Sequence, residues 1–385
     1  MTMNALHRIT QSRMAEMTAL AEELVAMESP SFQKRLVDDL GGRLHHDWEK
    51  LGGAVRVHRS ENFGNHLQID FAAGANGANR KPVMLLGHFD TVYEAGTLTK
   101  MPCKLAGNKL YGPGVYDMKG GIVMMMHAIA ALREANGGAL PRPVRVWLVT
   151  DEEVGSGSSR AMTEKLAKEC AAVLVLEPSL GVKGALKTAR KGVGTFILKV
   201  AGVAAHSGVD FEKGASAVLE LARQIDRVSA FTNMKKGITI NVGIIRGGTR
   251  TNVVAESAEA EVDARVSKMA DAAKLEKMFK SLKLFDKRCK ITVTGGINRP
   301  PLERTKKVEG LFKLAQSISK VLGFKIEEKS TGGGSDGNFT AALGVPTLDS
   351  LGCVGDGAHA SHEHVLVSEF PKRTALVAGL IAAIP

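Results

Sequence analysis

Three stretches constrain this chain more than anything else in it. PVMLLGHFD (82–90), PVRVWLVTDEE (143–153) and AAVLVLEPS (171–179) are near-continuous apolar runs, broken only by Arg145 before their polar ends, and each ends in acids or a histidine. An apolar run with no polar alternation predicts a strand covered on both faces, the situation of a parallel sheet with helices on either side. Helical patterns at 118–135 and 159–169 separate the runs, and two more precede them at 5–27 and 34–51. Strand–helix alternation of this kind predicts an α/β domain. One further helix–strand pair, 307–321 and VPTLDSLG (345–352), follows only after a long interval.

The interval has a different period. VGTFILKVAG (193–202) alternates like a half-exposed strand, a helical pattern covers 214–228, and ITINVGIIRGG (238–248) and SAEAEVDARVS (257–267) follow as strands. A helix at 271–282 and the strand KITVTGG (290–296) complete the order β-α-β-β-α-β. That order predicts a ferredoxin-like α+β domain with helices on one face of its sheet. The expected layout is a first domain in two segments, 1–190 and 303–385, with 191–302 inserted between them.

The strand ends carry the chemistry. His88 and Asp90 close the first run, Asp151, Glu152 and Glu153 the second, and Glu177 the third. The stretch 345–352 leads into His359, and Asp117 sits in YGPGVYDMKGG, a Gly-rich turn before a helix. In open parallel sheets ligands bind beyond the carboxyl ends of the strands, where loops converge. Singly, a histidine after a strand is usually a satisfied loop residue and DEE a solvated turn. Together, so many carboxylates at one edge cannot stay ionised without cations. Imidazole and carboxylate donors with no thiolate suit Zn²⁺, with Mn²⁺ or Co²⁺ as alternatives. Neither a Gly-x-x-x-x-Gly-Lys-Ser/Thr nor a Gly-x-Gly-x-x-Gly phosphate cradle is present.

Composition excludes other classes. Lys and Arg exceed Asp and Glu by 51 − 40 = 11, but only 5% of residues are aromatic and the cations are scattered. No zinc-finger spacing or aromatic RNA motif accompanies them, so no nucleic-acid partner is expected. The charge suits an anionic small substrate equally well. Cys103, Cys170, Cys289 and Cys353 form no Cys-x-x-Cys pair, which predicts free thiols in a reducing compartment. With no apolar core of signal-peptide length and no membrane-length apolar run, the expectation is a cytoplasmic protein with no membrane partner.

GHFDTVY (87–93), YGPGVYDMKGG (111–121), VTDEEVGSGSSR (149–160), LEPS (176–179), AAHSG (204–208), TGGGSDG (331–337) and GAHASHEHV (357–365) together resemble the motifs of the dinuclear zinc aminoacylase/carboxypeptidase family, peptidase family M20. Within it, YGPG, LEPS and TGGGSDG most resemble the glutamate carboxypeptidases. The resemblance implies a zinc-peptidase-like mixed sheet with helices on both faces, plus an inserted ferredoxin-like dimerisation (lid) domain. It implies two Zn²⁺ per subunit, with His88 and Glu177 on one, Glu153 and His359 on the other, and Asp117 bridging. Asp90 would orient His88 through its second ring nitrogen, and Glu152 would be the general base for metal-activated water. The peptide after Asp117 would be cis.

The resemblance further implies that His206, supplied by the partner of a homodimer, donates to the oxyanion. Arg299, the backbone N–H groups of Gly333, Gly334 and Ser335, and Asn252 would hold a substrate's free carboxylate. The implied activity is hydrolysis of the amide of an N-acyl amino acid or C-terminal peptide, releasing glutamate or aspartate. Deacylases of the acetylornithine or succinyl-diaminopimelate type, dipeptidases and aminopeptidases remain open, as does a metal-retaining binding protein. The chain departs from the glutamate carboxypeptidases at one place. Their lysine about eight residues beyond the LEPS-type glutamate falls here on Ala185, with Lys183, Lys187, Arg190 and Lys191 nearby.

Overall fold

The computed structural model describes residues 2–385, and its contacts divide the chain into two units. The first runs to Ala189 and resumes at Arg304–Ser330 and Ser335–Pro385; the second comprises Arg190–Glu303 and Thr331–Gly334.

The first unit is built on a mixed six-stranded sheet. Val83–His88 lies between Val144–Val149 and Ala172–Val175, parallel to both, and the two-residue strand Thr347–Leu348 extends the parallel set. On the other side His66–Phe71 runs antiparallel to Val144–Val149, and Ala54–His58 antiparallel to it in turn. Val83, Leu85, Val144, Val146, Leu148, Ala172 and Leu174 share one core with the helices Met14–Val25, Gly120–Ala135 and Phe370–Ala383. Met84, Leu86, Trp147, Val149, Val173 and Val175 face the opposite way and pack on Leu166 and Ala167 of the helix Arg160–Lys168. Coverage of both faces is why these strands are apolar nearly throughout, the exceptions being Arg145, which pairs with Asp70 and Glu169, and the terminal His88.

Three local differences from the sequence pattern have identifiable causes. The expected first helix is two, Met3–Ser12 and Met14–Val25, because Arg13 leaves helical geometry (φ −99°, ψ 11°). The helix after the Gly-rich turn starts at Gly120 rather than 118, because Asp117 and Met118 hold non-helical angles. The strand expected over 345–352 shrinks to Thr347–Leu348, since Asp349 pairs with Lys187 instead and Ser350 takes φ +66°.

The second unit has a four-stranded antiparallel sheet in the order Thr239–Gly247, Ser257–Val266, Gly192–Ala201, Lys290–Arg299. With the helices Ala217–Ser229 and Met269–Lys280 it has the ferredoxin-like order. Phe196, Leu198, Val200 and alternate residues of Ser257–Val266 are buried under these helices. Phe196 stacks on Phe279 at 3.9 Å between ring centroids, and Phe231 meets Phe279 edge-on at 5.5 Å. Among the described residues no helix is long and apolar enough to cross a membrane, and the four cysteines are free thiols. Phe279→Ala removes the ring that both partners touch, so it is expected to cost about 3–5 kcal/mol. An earlier urea transition would register this loss, whereas an unchanged midpoint would contradict the packing.

Candidate metal centre

Both candidate histidines reach Asp117 from different directions. His88, at the end of the strand Val83–His88, places Nε2 3.1 Å from Asp117 Oδ1 and 3.5 Å from Glu177 Oε1. His359 places Nε2 3.4 Å from Asp117 Oδ2 and 3.1 Å from Glu153 Oε2. Asp117 thus offers one oxygen to each imidazole, and each imidazole has one further carboxylate. His88 is buried, whereas half of the His359 side chain is exposed, which leaves the cluster approachable from the His359 side.

Local backbone explains how these side chains converge. Gly114 has φ +74°, and a Cβ there would come within 2.6 Å of Thr91 Cγ2, so only glycine fits the turn that delivers Asp117. The Asp117–Met118 peptide is cis, and His359 itself holds φ +63°. Glu152 and Glu153 open a short turn directly after Val144–Val149.

Asp90 does more than the sequence suggested. Its carboxylate is 3.4 Å from His88 Nδ1, but the nearer acceptor for that nitrogen is the Asp90 main-chain carbonyl at 3.0 Å. The carboxylate instead accepts the amides of Glu152 and Glu153, at 3.3 Å each, and the Ser31 hydroxyl at 2.8 Å. One buried acid therefore fixes the loop that bears both glutamates.

The electrostatics are those of a cation site filled by protons. Burial alone would depress the His88 pKa, but hydrogen bonds to Asp117, Asp90 and Glu177 outweigh it and hold the value well above the usual range. Asp117 and Glu153 push His359 up to about 10. Burial works to raise Asp117, yet its two imidazole partners keep it below the ordinary carboxylate range. Burial lifts Glu153 to about 7 against the pull of His359. Glu153 Oε1 is buried with no hydrogen-bond partner, which is costly unless another group engages it. Two sets, His88–Glu152–Glu177 and His88–Asp117–Glu153, each bring one donor atom per residue within 4.8 Å of the others. The residues fit a divalent metal, and Glu152 lies close enough to belong to one set.

The other expected site residues divide between the units. His206 and Asn252 are neighbours in the second: Ser207 donates its amide to Asn252 O at 3.0 Å, and His206 bridges to Val253. Arg299 is buried at the end of Lys290–Arg299, its Cδ packed where a Cβ on Gly334 would stand. Arg190 Nη1 donates to the carbonyls of Gly333 and Gly334 at 3.3 and 2.9 Å. Ser335 departs from the expected anion nest. Its amide goes to Asn338 Oδ1 at 3.0 Å and its hydroxyl to Asp349 Oδ2 at 2.5 Å, so its donors are spent inside the first unit. Ala185 is buried and pairs with Leu180, Lys183 is exposed, and the buried Lys187 donates to the Pro178 carbonyl at 3.0 Å.

Sequence reasoning missed three residues: Ser31 on Asp90, Tyr93, and Glu363, a fully buried acid beside the Asp117 turn. Glu363 lay in the quoted motif GAHASHEHV, but nothing in its spacing separates it from a solvated acid.

Residues 84–383 match the model of peptidase family M20/M25/M40. The chain belongs to that family. It is 30% identical to carboxypeptidase G2 of Pseudomonas sp. (strain RS-16), over 98% of this chain and 91% of that one. An acetylornithine deacetylase of Myxococcus xanthus is 29% identical over 61% of this chain and 63% of its own. Aminopeptidase PepT from Bacillus cereus has the same fold, with a TM-score of 0.79 at 21% identity, covering 97% of this chain and 98% of its own. An M20 family metallo-carboxypeptidase from Sulfolobus solfataricus gives 0.74 at 16%, covering 96% and 99%. Membership makes the chain a metallohydrolase.

A divalent ion entering the cluster must displace the protons on His88, His359 and Glu153. Loading the metal-free protein at pH 7 should therefore release about two to three protons per chain, one each from His88 and His359 and part of one from Glu153, and apparent affinity should rise with pH as those protons are lost. Calorimetric titrations in two buffers of different ionisation enthalpy measure the number. Metal uptake with no proton release would contradict the assignment.

Proposed function

We propose that this chain is a dinuclear zinc amidohydrolase that cleaves N-acyl amino acids or short peptides at a residue with a free α-carboxylate, releasing glutamate or aspartate. The observation that carries the reading is Asp117 with its two oxygens on two imidazoles, each backed by a second carboxylate. His88 and Glu177 would hold one ion, Glu153 and His359 the other, and Asp117 both. Two Zn²⁺ per subunit fit the donor set, with Mn²⁺ and Co²⁺ as alternatives. Bound there, the metals supply Lewis acidity toward the amide carbonyl and lower the pKa of water.

The chain's own residues carry the proton and the charge. Glu152 takes the proton of the attacking water and returns it to the departing amine nitrogen, acting as base and then acid. His206 donates to the oxyanion. Its Nδ1 accepts the Gly208 amide at 3.2 Å, which leaves the proton of the neutral ring on Nε2 as a donor. In this reading the second unit is the dimerisation (lid) domain, and His206 serves the partner's site. Exposed Ile244 and Ile245 on the sheet's edge strand, with Val209 and Phe211, support self-association there. Arg299 with Asn252 and the Gly333–Gly334 turn would take the substrate carboxylate.

Deacylation of N-acyl amino acids with neutral or basic side chains is the second reading, favoured by the buried, uncharged Ala185. Amino-acid release from a panel varying both sides of the amide tests the two. Chelator-sensitive release of glutamate or aspartate supports the first, and release confined to neutral or basic amino acids sinks it in favour of the second. Glu152→Gln should lower kcat about a hundredfold to ten-thousandfold with metal content intact. Loss of metal instead would make Glu152 a ligand.

A further inference from the structure

Glu363 is fully buried, stands four residues after His359, and has no part in the chemistry proposed above. Its carboxylate is enclosed by donors. Oε1 accepts the amides of Tyr116 at 2.8 Å and Asp117 at 2.9 Å. Oε2 accepts the amide of Gly114 at 3.1 Å and the Tyr93 hydroxyl at 2.6 Å. These partners belong to different loops of the metal cluster. Gly114, Tyr116 and Asp117 form the turn that presents Asp117, Tyr93 follows His88, and Glu363 closes the loop that carries His359. The Tyr93 hydroxyl also lies 3.1 Å from the carbonyl of Ala360, the residue after His359.

A small antiparallel sheet explains the convergence. His364–Leu366 pairs with Lys109–Tyr111 on one side and Gly355–Asp356 on the other, so the chain leaving the His359 loop is held between the chain entering that loop and the chain entering the Asp117 turn. Glu363 immediately precedes the paired segment, and its own carbonyl accepts the Gly112 amide at 3.2 Å. The carboxylate therefore reads the position of the main chain at Asp117 directly, while its own main chain belongs to the His359 loop.

We propose that Glu363, supported by Tyr93, is a positioning residue of the metal centre: it sets the spacing between the Asp117 carboxylate and the His359 imidazole. The proposal rests on the metal reading above. A carboxylate is required because only two anionic oxygens can accept three amides and a phenol together; a glutamine would turn an NH₂ toward amide donors. Outer groups that orient ligands typically change metal affinity about 10–100-fold when removed.

The test uses the full chain, stripped with chelator and titrated with Co²⁺, following visible absorption alongside thermal melting of the stripped protein. Glu363→Gln should bind Co²⁺ about 10–100-fold more weakly, with an altered absorption envelope. Tyr93→Phe should show a smaller loss in the same direction while melting like the parent chain. Co²⁺ affinity and spectrum unchanged in both variants would overturn the proposal, even if melting fell, since a purely structural residue would behave that way. Should Glu363→Gln not fold, Tyr93→Phe decides alone, and parent-like affinity and spectrum overturn it. If the parent chain takes up no Co²⁺, the metal reading fails first and this proposal falls with it.

Discussion

One carboxylate shared between two imidazoles organises this molecule. For Asp117 to stand 3.1 Å from His88 and 3.4 Å from His359, a strand end, a helix-opening turn and a loop near the carboxyl terminus must meet at one point. Only an edge where several parallel strands finish together offers such convergence, and the doubly covered sheet supplies it. The same convergence gathers Glu152, Glu153 and Glu177, so the charge must be offset by something cationic. Raised pKa values at His88 and His359 do this with protons in the metal-free chain. The site is in that sense already shaped around positive charge before any metal is considered.

Acids that do not face the two imidazoles with a shared oxygen have a second task. Asp90 takes the amides of Glu152 and Glu153, and Glu363 takes those of Gly114, Tyr116 and Asp117. Each holds a loop by its main chain, leaving the side chains of that loop directed by backbone geometry rather than by rotamer preference. In each case the N–H donors of the loop occupy the carboxylate oxygens. Such acids can lie beside the cluster without competing for whatever occupies it.

The two folds and the inner cluster were legible because each had a local signature. Near-continuous apolar runs required cover on both faces, alternating ones required cover on one, and His88, Asp117, Glu153 and Glu177 sat at the ends of recognisable elements. What was illegible depended on the main chain. The break at Arg13 and the shortened strand at Thr347–Leu348 follow from dihedral angles at Arg13 and Ser350 that neither residue type announces. Glu363 looks like any acid in a polar loop until the small sheet places it under the Asp117 turn. Ser335 failed in the opposite direction: a Gly-Gly-Ser run suggests free amides, but Asn338 three residues later captures one of them.

Strand geometry also decides what the segment after Glu177 offers. Eight residues on, Ala185 closes a tight pair with Leu180, and its buried methyl offers neither charge nor reach. Two residues later the strand Leu186–Arg190 has begun, and it turns Lys187 inward so that its ammonium meets the Pro178 carbonyl, next in sequence to Glu177. A cation therefore approaches the Glu177 strand end from a strand rather than from a loop, with its reach set by the sheet.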